Sequence, residues 1–409
     1  MHRRYFRLQG RLPVTSIVSV GLALFEFEVE GLGLPAHGAA GVGNLVAKKG
    51  SRMLAQRWAV RIETDEGACG EYVTHWVGTP SSFAQAAMLT PHLAGRDPDR
   101  REELWQDLWR EVRAYDHMGH GPLDIALWDL SGKRRKVSVS RLLGGFRTKL
   151  PTYASTYHGQ EEPGELDTPA AFADYAVACK EQGFAGFKIH GWHTGDVARE
   201  IATVFGVRKA VGDGWPRMLD PASQLRTSRD ALSVGEACDE ARFFWYEDPY
   251  RDTGGAVEGH KRLRIRLRTP LLVCEHVRGL EAKAAFILGG GGDLVHADPK
   301  YDLGITGALK IAHFCEALGL DDQFHACGPA HRAVLAATSN THFYEMALSG
   351  LGMPNTVPPV YTCGYSDQPK DLPADGCVPV PDGLGLGVSR DWDRIDRNRV
   401  EHLVFGRVT

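Results

Sequence analysis

The beginning of the chain alternates apolar with polar residues, as the strands of an antiparallel sheet do. Residues 58–63 (WAVRIE) alternate strictly, residues 64–67 (TDEG) supply a turn, and residues 69–73 (CGEYV) return, which predicts a β-hairpin. The apolar stretch 17–25 is interrupted by small residues and is predicted to be a further strand rather than a secretory signal. The glycine-rich residues 31–43 are predicted to form a mobile surface loop, because they do not follow a strand and open a helix as a phosphate-binding loop must.

Helical periodicity replaces this alternation over residues 80–145. Leu104, Leu108 and Val112 form an apolar stripe at intervals of four residues, which is the spacing that brings side chains to one face of a helix. Residues 124–130 (DIALWDL) form the apolar centre of another helix. Strands followed by helices predict an α+β domain here.

From about residue 150, short apolar runs alternate with helix-like segments. Residues 151–156 and 187–190 are predicted strands, and Thr168 with Pro169 begins the helix between them. Eight strands can be counted from Tyr153 onward, which predicts an α/β fold of the (β/α)8 (modified TIM) barrel type. We therefore divide the chain into an N-terminal α+β capping domain (1–148), a barrel (149–370) and a C-terminal segment that returns to the capping domain (371–409).

Three acidic residues each end a short apolar segment of the barrel region. Asp220, Glu247 and Glu275 are separated by 27 and 28 residues, about the length of one strand, one helix and two loops. Equivalent strand ends of a parallel barrel point to one mouth, so the three carboxylates are expected to converge there. Converging carboxylates repel one another unless a hard cation lies between them, and Mg²⁺ suits such an all-oxygen site. The alternative is that each acid caps the helix after its strand, where Asp is favoured.

Further polar residues lie at the ends of the other predicted strands. Lys188 and His190 share a face because alternate residues of a strand point the same way. Later strands are predicted to end at Asp298, His325 and Glu345. A metal among carboxylates, a neutral base, and an Asp that fixes the tautomer of an imidazole suit removal of the proton from a carbon beside a carboxylate.

These motifs together resemble the enolase superfamily, specifically its mandelate racemase branch. The resemblance rests on Lys188-x-His190, Asp220-Pro221, Glu247-Asp248-Pro249, Glu275, Asp298-Pro299 with the following Gly304-Ile305-Thr306, and His325. It implies that Asp220, Glu247 and Glu275 bind Mg²⁺ and that Asp298 and His325 form a general-base dyad. It also implies that Glu345 forms a hydrogen bond with the substrate carboxylate. Assembly into a homo-oligomer, from dimer to octamer, is expected on the same ground.

One residue departs from the pattern of that family. His190 stands where the second lysine of a K-x-K motif is usual. This favours chemistry in which His325 acts alone, removing the proton at C2 of a sugar acid and helping the 3-hydroxyl to leave, so that a 2-keto-3-deoxy acid forms. Lys188 then balances charge near the carboxylate. The alternatives are a racemase or epimerase with His190 as second base, a cycloisomerase acting on a lactone, and a binding protein without activity, which the dyad argues against.

Composition and charge exclude some classes of function and indicate a cellular location. The chain is 43% hydrophobic and 24% charged, as globular proteins are, and its net charge of −4 gives no sign of nucleic-acid binding. It contains no run of 18 apolar residues, so a membrane span is not expected. The eight cysteines are scattered without a C-x-x-C motif, which argues against a zinc site or a disulfide framework and favours the reducing cytoplasm.

The sequence gives the weakest indication for the residues that contact the part of a small sugar-acid substrate away from its carboxylate. The loops that close a barrel mouth carry five candidates, each of which has a surface or packing role as its alternative: His37, His75, Trp76, Tyr157 and Trp192. His276 directly follows Glu275 and should therefore point away from the mouth if Glu275 points into it. The basic run 261–268 precedes Glu275 and is predicted to lie on an outer face of the barrel.

Overall fold

An antiparallel sheet begins the structure, a computed structural model that describes residues 15–34, 45–75, 79–160, 163, 166–251, 256–350 and 355–406. Its first strands are β1 (Ile17–Gly33), β2 (Val46–Thr64) and β3 (Cys69–Val73). The predicted hairpin is confirmed, since Ala59 to Glu63 of β2 pair with Cys69 to Val73 of β3. β1 and β2 pair from Ile17 to Gly33 and are much longer than the alternating runs. The predicted loop at 31–43 therefore begins later than expected, and most of it lies outside the described residues.

Helices cover one face of this sheet. They are α1 (Thr79–Leu89), α2 (Arg101–Glu111), α3 (His120–Arg135) and the short α4 (Val139–Leu142). The predicted stripe of Leu104, Leu108 and Val112 is buried. Gly70 of β3 lies so close to α3 that an added Cβ would come within 2.2 Å of the Ala126 carbonyl oxygen. Any larger residue at this position would therefore push the strand and the helix apart.

Eight parallel strands follow, and the predicted barrel architecture is confirmed. The strands are β4 (Lys149–Thr156), β5 (Gly186–His190), β6 (Arg217–Asp220), β7 (Trp245–Glu247), β8 (Leu271–Val273), β9 (Leu294–Ala297), β10 (Asp321–Phe324) and β11 (Tyr344–Ser349). Helices connect them in order: α5 (Pro169–Gln182), α6 (Val197–Val211), α7 (Ser228–Ala241), α8 (Val257–Arg266), α9 (Leu280–Leu288), α10 (Gly304–Ala317) and α11 (Pro329–Leu335). The sheet order runs from β10 through β9 and onward down to β4, and then to β11.

The barrel closes by side-chain contacts rather than by a strand ladder. Among the described residues no strand pairing joins β10 to β11. Instead the Gln323 amide donates to the Phe343 carbonyl oxygen at 2.7 Å and accepts from the Phe343 backbone N–H at 3.4 Å. A side-chain amide can replace one step of a backbone ladder because it carries the same donor and acceptor pair.

Local sequence sets the helix boundaries as predicted. Thr168 Oγ1 accepts from the Ala171 N–H, Pro169 occupies the first turn, and α5 ends at Gly183, whose φ of +100° lies in the left-handed region. Residues 261–266 of the basic run 261–268 lie on α8, and Ile265 within it is 74% exposed, as predicted for an outer barrel face.

The C-terminal segment returns to the first sheet. It contains β12 (Cys377–Pro379), which pairs antiparallel with β4, then α12 (Trp392–Arg397) and β13 (Arg399–Gly406). β13 pairs with β1 from Ser19 to Phe25 and forms the outer strand of the sheet order β13-β1-β2-β3. Within the described ranges no helix is long and apolar enough to cross a membrane. None of the eight cysteines, all of which lie in the described part of the chain, forms a disulfide.

Candidate active site

The carboxyl ends of the barrel strands form a mouth lined by buried polar residues. Below it an apolar layer fills the barrel interior, formed by Tyr153, Met218, Trp245, Leu272 and Leu294. Because side chains alternate along a strand, residues two positions further along continue the same inward face. Asp220 and Glu247 occupy such positions, and both are buried. The strand pattern therefore directs these carboxylates into the mouth, as predicted.

Glu275 reaches the mouth by a different route. Leu272 of β8 faces inward, so strict alternation would place Cys274 inside and Glu275 outside. Cys274 has a φ of +80°, a left-handed conformation that is rare for a residue with a side chain and costs about 1–3 kcal/mol. This turn reverses the alternation. Glu275 consequently lies with its Oε1 3.3 Å from His325 Nε2.

Lys188 is the cation at the centre of the buried carboxylates. Its Nζ lies 2.7 Å from Glu247, 3.0 Å from Glu345 and 3.5 Å from Asp220. Burial disfavours the charged ammonium, but the carboxylates of Glu247 and Glu345 outweigh it and raise the pKa of Lys188 well above its usual value. Lys188 therefore stays protonated and partly neutralises the cluster.

His190 lies on the same face as Lys188, as predicted, and contacts Asp220. Its Nε2 lies 3.1 Å from Asp220 Oδ2, and its Nδ1 lies 2.7 Å from the Thr156 carbonyl oxygen. A carbonyl oxygen only accepts, so Nδ1 carries the hydrogen. Burial opposes ionisation of Asp220, but Lys188 and His190 hold its pKa far below the usual range. His158, which the sequence did not single out, lies with its ring 5.0 Å from that of His190.

Asp298 and His325 are in direct contact. His325 Nδ1 lies 2.8 Å from Asp298 Oδ2, so an Nδ1–H donating to the carboxylate leaves Nε2 facing the mouth. Two further residues, neither predicted, support Asp298: His331 Nε2 lies 3.2 Å from Oδ1, and Lys300 Nζ lies 3.7 Å from Oδ2. Burial opposes ionisation of Asp298, yet Lys300, His325 and His331 hold its pKa well below the usual range. Asp298 therefore stays a carboxylate that can orient His325.

Glu345 lies deeper than predicted. It is the second residue of β11 rather than the end of a strand, because β11 begins at Tyr344 and continues to Ser349. Its side chain nevertheless reaches the mouth, where the carboxylate accepts from the Ala326 N–H and contacts Lys188. Burial opposes its ionisation, but the charge of Lys188 holds the pKa of Glu345 below the usual range.

His296 is a site residue that the sequence analysis missed. Single ligand atoms of Glu247, Glu275 and His296 all lie within 4.8 Å of one another, as ligands of one metal ion would. His296 precedes Asp298 by two residues on β9, so the alternation that groups Lys188 with His190 would also have identified it. His276 is 41% exposed at its side chain and lies 3.6 Å from Glu275, so it borders the mouth from the outside.

The remaining candidates that lie within the described ranges are not assembled at the mouth. Trp192 is fully buried, its indole donates to Thr203 Oγ1 at 3.0 Å, and its ring packs against Phe172. Tyr157 is likewise buried in the main core. His75 is buried and contacts the Tyr361 hydroxyl. His37 and Trp76 lie outside the described residues.

Comparison with known proteins identifies relatives along most of the chain. Residues 171–394 match the family described as "Enolase C-terminal domain-like", and residues 45–144 match "Mandelate racemase / muconate lactonizing enzyme, N-terminal domain". The chain is 27% identical over 359 residues to the 3,6-anhydro-alpha-L-galactonate cycloisomerase of Streptomyces coelicolor, covering 85% of this chain and 92% of that protein. It is 30% identical over 281 residues to the D-galactonate dehydratase of Verminephrobacter eiseniae, covering 64% and 69%.

A solved structure matches the fold over almost its whole length. D-glucarate dehydratase from Agrobacterium tumefaciens, complexed with magnesium, superposes with a TM-score of 0.81 and 26% sequence identity. The match covers 94% of this chain and 99% of that structure, so the cap, the barrel and the C-terminal return are shared.

Proposed function

Because the chain belongs to the mandelate racemase / muconate lactonizing enzyme family of the enolase superfamily, we propose that it is a Mg²⁺-dependent lyase. In this proposal it removes the proton beside the carboxylate of a sugar acid and eliminates water to form a 2-keto-3-deoxy acid. The observation that carries the proposal is the contact between Asp298 and His325, with Nε2 of His325 facing the buried carboxylates. Dehydratases of D-galactonate and D-glucarate among the relatives support the same reaction class.

The donor set suits the proposed cation. Asp220, Glu247 and Glu275 are buried or nearly so, and Lys188 alone cannot neutralise them together with Glu345. Hard carboxylate oxygens are the ligands that Mg²⁺ prefers, and the glucarate dehydratase relative is complexed with magnesium. When bound, the ion would polarise the substrate carboxylate and stabilise the negative charge that develops as the α-proton leaves.

His325 is proposed as the base that takes the α-proton. Its Nδ1–H donates to Asp298, so the lone pair of Nε2 is available for the proton at C2. The imidazolium that results lies between two carboxylates, Asp298 at 2.8 Å and Glu275 at 3.3 Å, which stabilise its charge. The same Nε2–H can then protonate the departing 3-hydroxyl, so one residue moves the proton in both halves of the elimination.

Lys188 and Glu345 are proposed to bind the substrate carboxylate. Lys188 Nζ is held by carboxylates on three sides and can direct its charge to the incoming anion. Glu345 lies beside it and, as a carboxylate, would accept a hydrogen bond from a substrate hydroxyl next to that carboxylate. A small-molecule acid as substrate follows from this arrangement, whereas the homo-oligomer and the cytoplasmic location stay predictions.

Cycloisomerisation through the same enolate is the second candidate. One relative that aligns along 92% of its own length is a 3,6-anhydro-alpha-L-galactonate cycloisomerase. In this reaction, or in a racemisation, His190 would exchange a proton from its position beside Asp220. Dehydration and these two reactions therefore differ in whether His190 returns a proton to C2, and the fate of the C2 hydrogen is what separates them experimentally.

The test is a mass-spectrometric screen of pooled sugar acids and their lactones with Mg²⁺ in D₂O. Loss of water with a 2-keto-3-deoxy product supports dehydration and identifies the substrate. Deuterium gained at C2 without loss of water supports racemisation, and a rearranged product of unchanged composition supports cycloisomerisation. If no acid exchanges its C2 hydrogen, the proposal is wrong.

A further inference from the structure

We propose that His296 is a direct ligand of the divalent cation, so that the site combines carboxylate oxygens with one imidazole nitrogen. The inference rests on the proposed function, because it concerns the cation of that same site. It changes the expected chemistry of the site, since a nitrogen ligand favours different cations from an all-oxygen set.

The first observation is the position of His296 among the carboxylates. The residue is fully buried in β9 with its side chain on the inward face. Its Nε2 lies 2.8 Å from Glu247 Oε1, and single ligand atoms of His296, Glu247 and Glu275 lie within 4.8 Å of one another. Ligands about 2.0–2.2 Å from a common ion are separated by distances of this size.

The second observation is the tautomer of the ring. His296 Nδ1 lies 3.2 Å from the Gln323 backbone carbonyl oxygen, which can only accept, so Nδ1 carries the hydrogen. Nε2 is therefore the ring nitrogen that faces Glu247 Oε1, a position from which it can bind a cation together with that carboxylate. Metal-binding histidines typically donate their other N–H to a carbonyl or carboxylate in this way.

The third observation is that the backbone of the site is held in place from outside the barrel. Lys283 of α9 is buried, and its Nζ donates to the carbonyl oxygens of both Cys274 and His296. One ammonium therefore fixes the left-handed turn before Glu275 and the strand that carries His296. Asp220 is not part of the tight group and is instead engaged by His190 at 3.1 Å.

A nitrogen ligand predicts a preference among cations. Imidazole binds Mn²⁺ and Co²⁺ more readily than Mg²⁺, which takes oxygen ligands. We expect the full-length protein to bind Mn²⁺ and Co²⁺ at least about tenfold more tightly than Mg²⁺, and the difference to shrink in His296→Gln. Isothermal titration with each chloride salt measures this. His260→Gln is the matched control, because His260 is equally buried but lies on α8, where its Nδ1 contacts the Ala256 carbonyl oxygen.

Affinity alone does not separate a ligand from a residue that only orients Glu247, so the deciding measurement is spectroscopic. Pulsed electron paramagnetic resonance of the Mn²⁺-loaded protein detects ¹⁴N bonded to the ion. We expect a strong ¹⁴N coupling in the wild type and in His260→Gln, and its loss in His296→Gln or, should that variant not fold, in His296→Asn. A coupling that persists without His296, or its absence from the wild type, overturns the inference and leaves the proposed function intact. If no divalent cation binds to the wild type, both fail.

Discussion

Replacing Lys188 by Met tests whether the protein needs a cation among its buried carboxylates to remain stably folded. The substitution keeps most of the side-chain volume and removes only the charge. Three carboxylates, those of Glu247, Glu345 and Asp220, lie within 3.5 Å of Nζ and would lose their cation.

The size of the effect follows from these distances. At about 3 Å and an effective dielectric constant of about 20, each pair attracts by roughly 5 kcal/mol, so the gross attraction is about 15 kcal/mol. Burial of the ammonium and repulsion among the carboxylates offset most of it. Removing one partner of a buried ion pair typically costs about 3–5 kcal/mol, which we expect as the loss in free energy of unfolding without divalent cation.

Urea denaturation in EDTA and in saturating Mg²⁺ measures this loss. A cation that binds only the folded state adds about 2.7 kcal/mol at a hundredfold excess over Kd, and we expect Mg²⁺ to restore more stability to Lys188→Met than it adds to the wild type. The control is Lys300→Met, since Lys300 is also buried but lies 3.7 Å from a single carboxylate, Asp298. Equal stability of Lys188→Met and wild type in EDTA, or an equal loss in Lys300→Met, would refute the reasoning.

Three further predictions follow. His325→Asn should lower C2 proton exchange by about 10²–10⁴-fold while calorimetric Mg²⁺ binding persists, and retained exchange removes His325 as the base. Glu247→Gln should weaken Mg²⁺ binding at least about tenfold in the same titration, and unaltered affinity excludes this carboxylate as a ligand. Burial raises the pKa of Glu200 from 4.5 to about 8. The protonated side chain therefore contributes fully to the free energy of unfolding below pH 4.5, the pKa in the unfolded chain, and this contribution is lost as the pH rises through the folded pKa of about 8. Glu200→Gln should therefore match wild type near pH 4.5 and exceed it by up to about 5 kcal/mol at pH 9 in urea denaturation, whereas a pH-independent difference contradicts the assignment.

The architecture was largely predictable because it depends on periodic patterns. Alternation in residues 58–73 predicted the hairpin, and Thr168 with Pro169 predicted the start of α5, since both signals act within a few residues. The barrel followed from repeated strand and helix lengths. Closure between β10 and β11 by the Gln323 amide was not predictable, because it depends on two strands distant in the chain meeting without a backbone ladder.

The same contrast between local patterns and tertiary contacts separates the site residues that were predicted correctly from those that were not. Lys188 and His190 were grouped correctly on one face because a strand holds alternate side chains there at any position in a fold. Trp192 and Tyr157 are in the core, since an aromatic residue near a predicted loop carries no sign of whether tertiary packing covers it. Glu345 was assigned to a strand end from spacing alone, and the spacing did not reveal that β11 continues to Ser349.

The sequence by itself determined the fold class, the family and the inward position of Asp220 and Glu247 at their strand ends, because spacing and alternation are properties of the local chain. The tertiary structure decided which atoms meet. Cys274 adopts a left-handed conformation that turns Glu275 inward, and the Lys283 ammonium binds the carbonyl oxygens of both Cys274 and His296. A conformation that costs free energy locally is maintained only by contacts from elsewhere in the fold, so a residue pattern cannot reveal it.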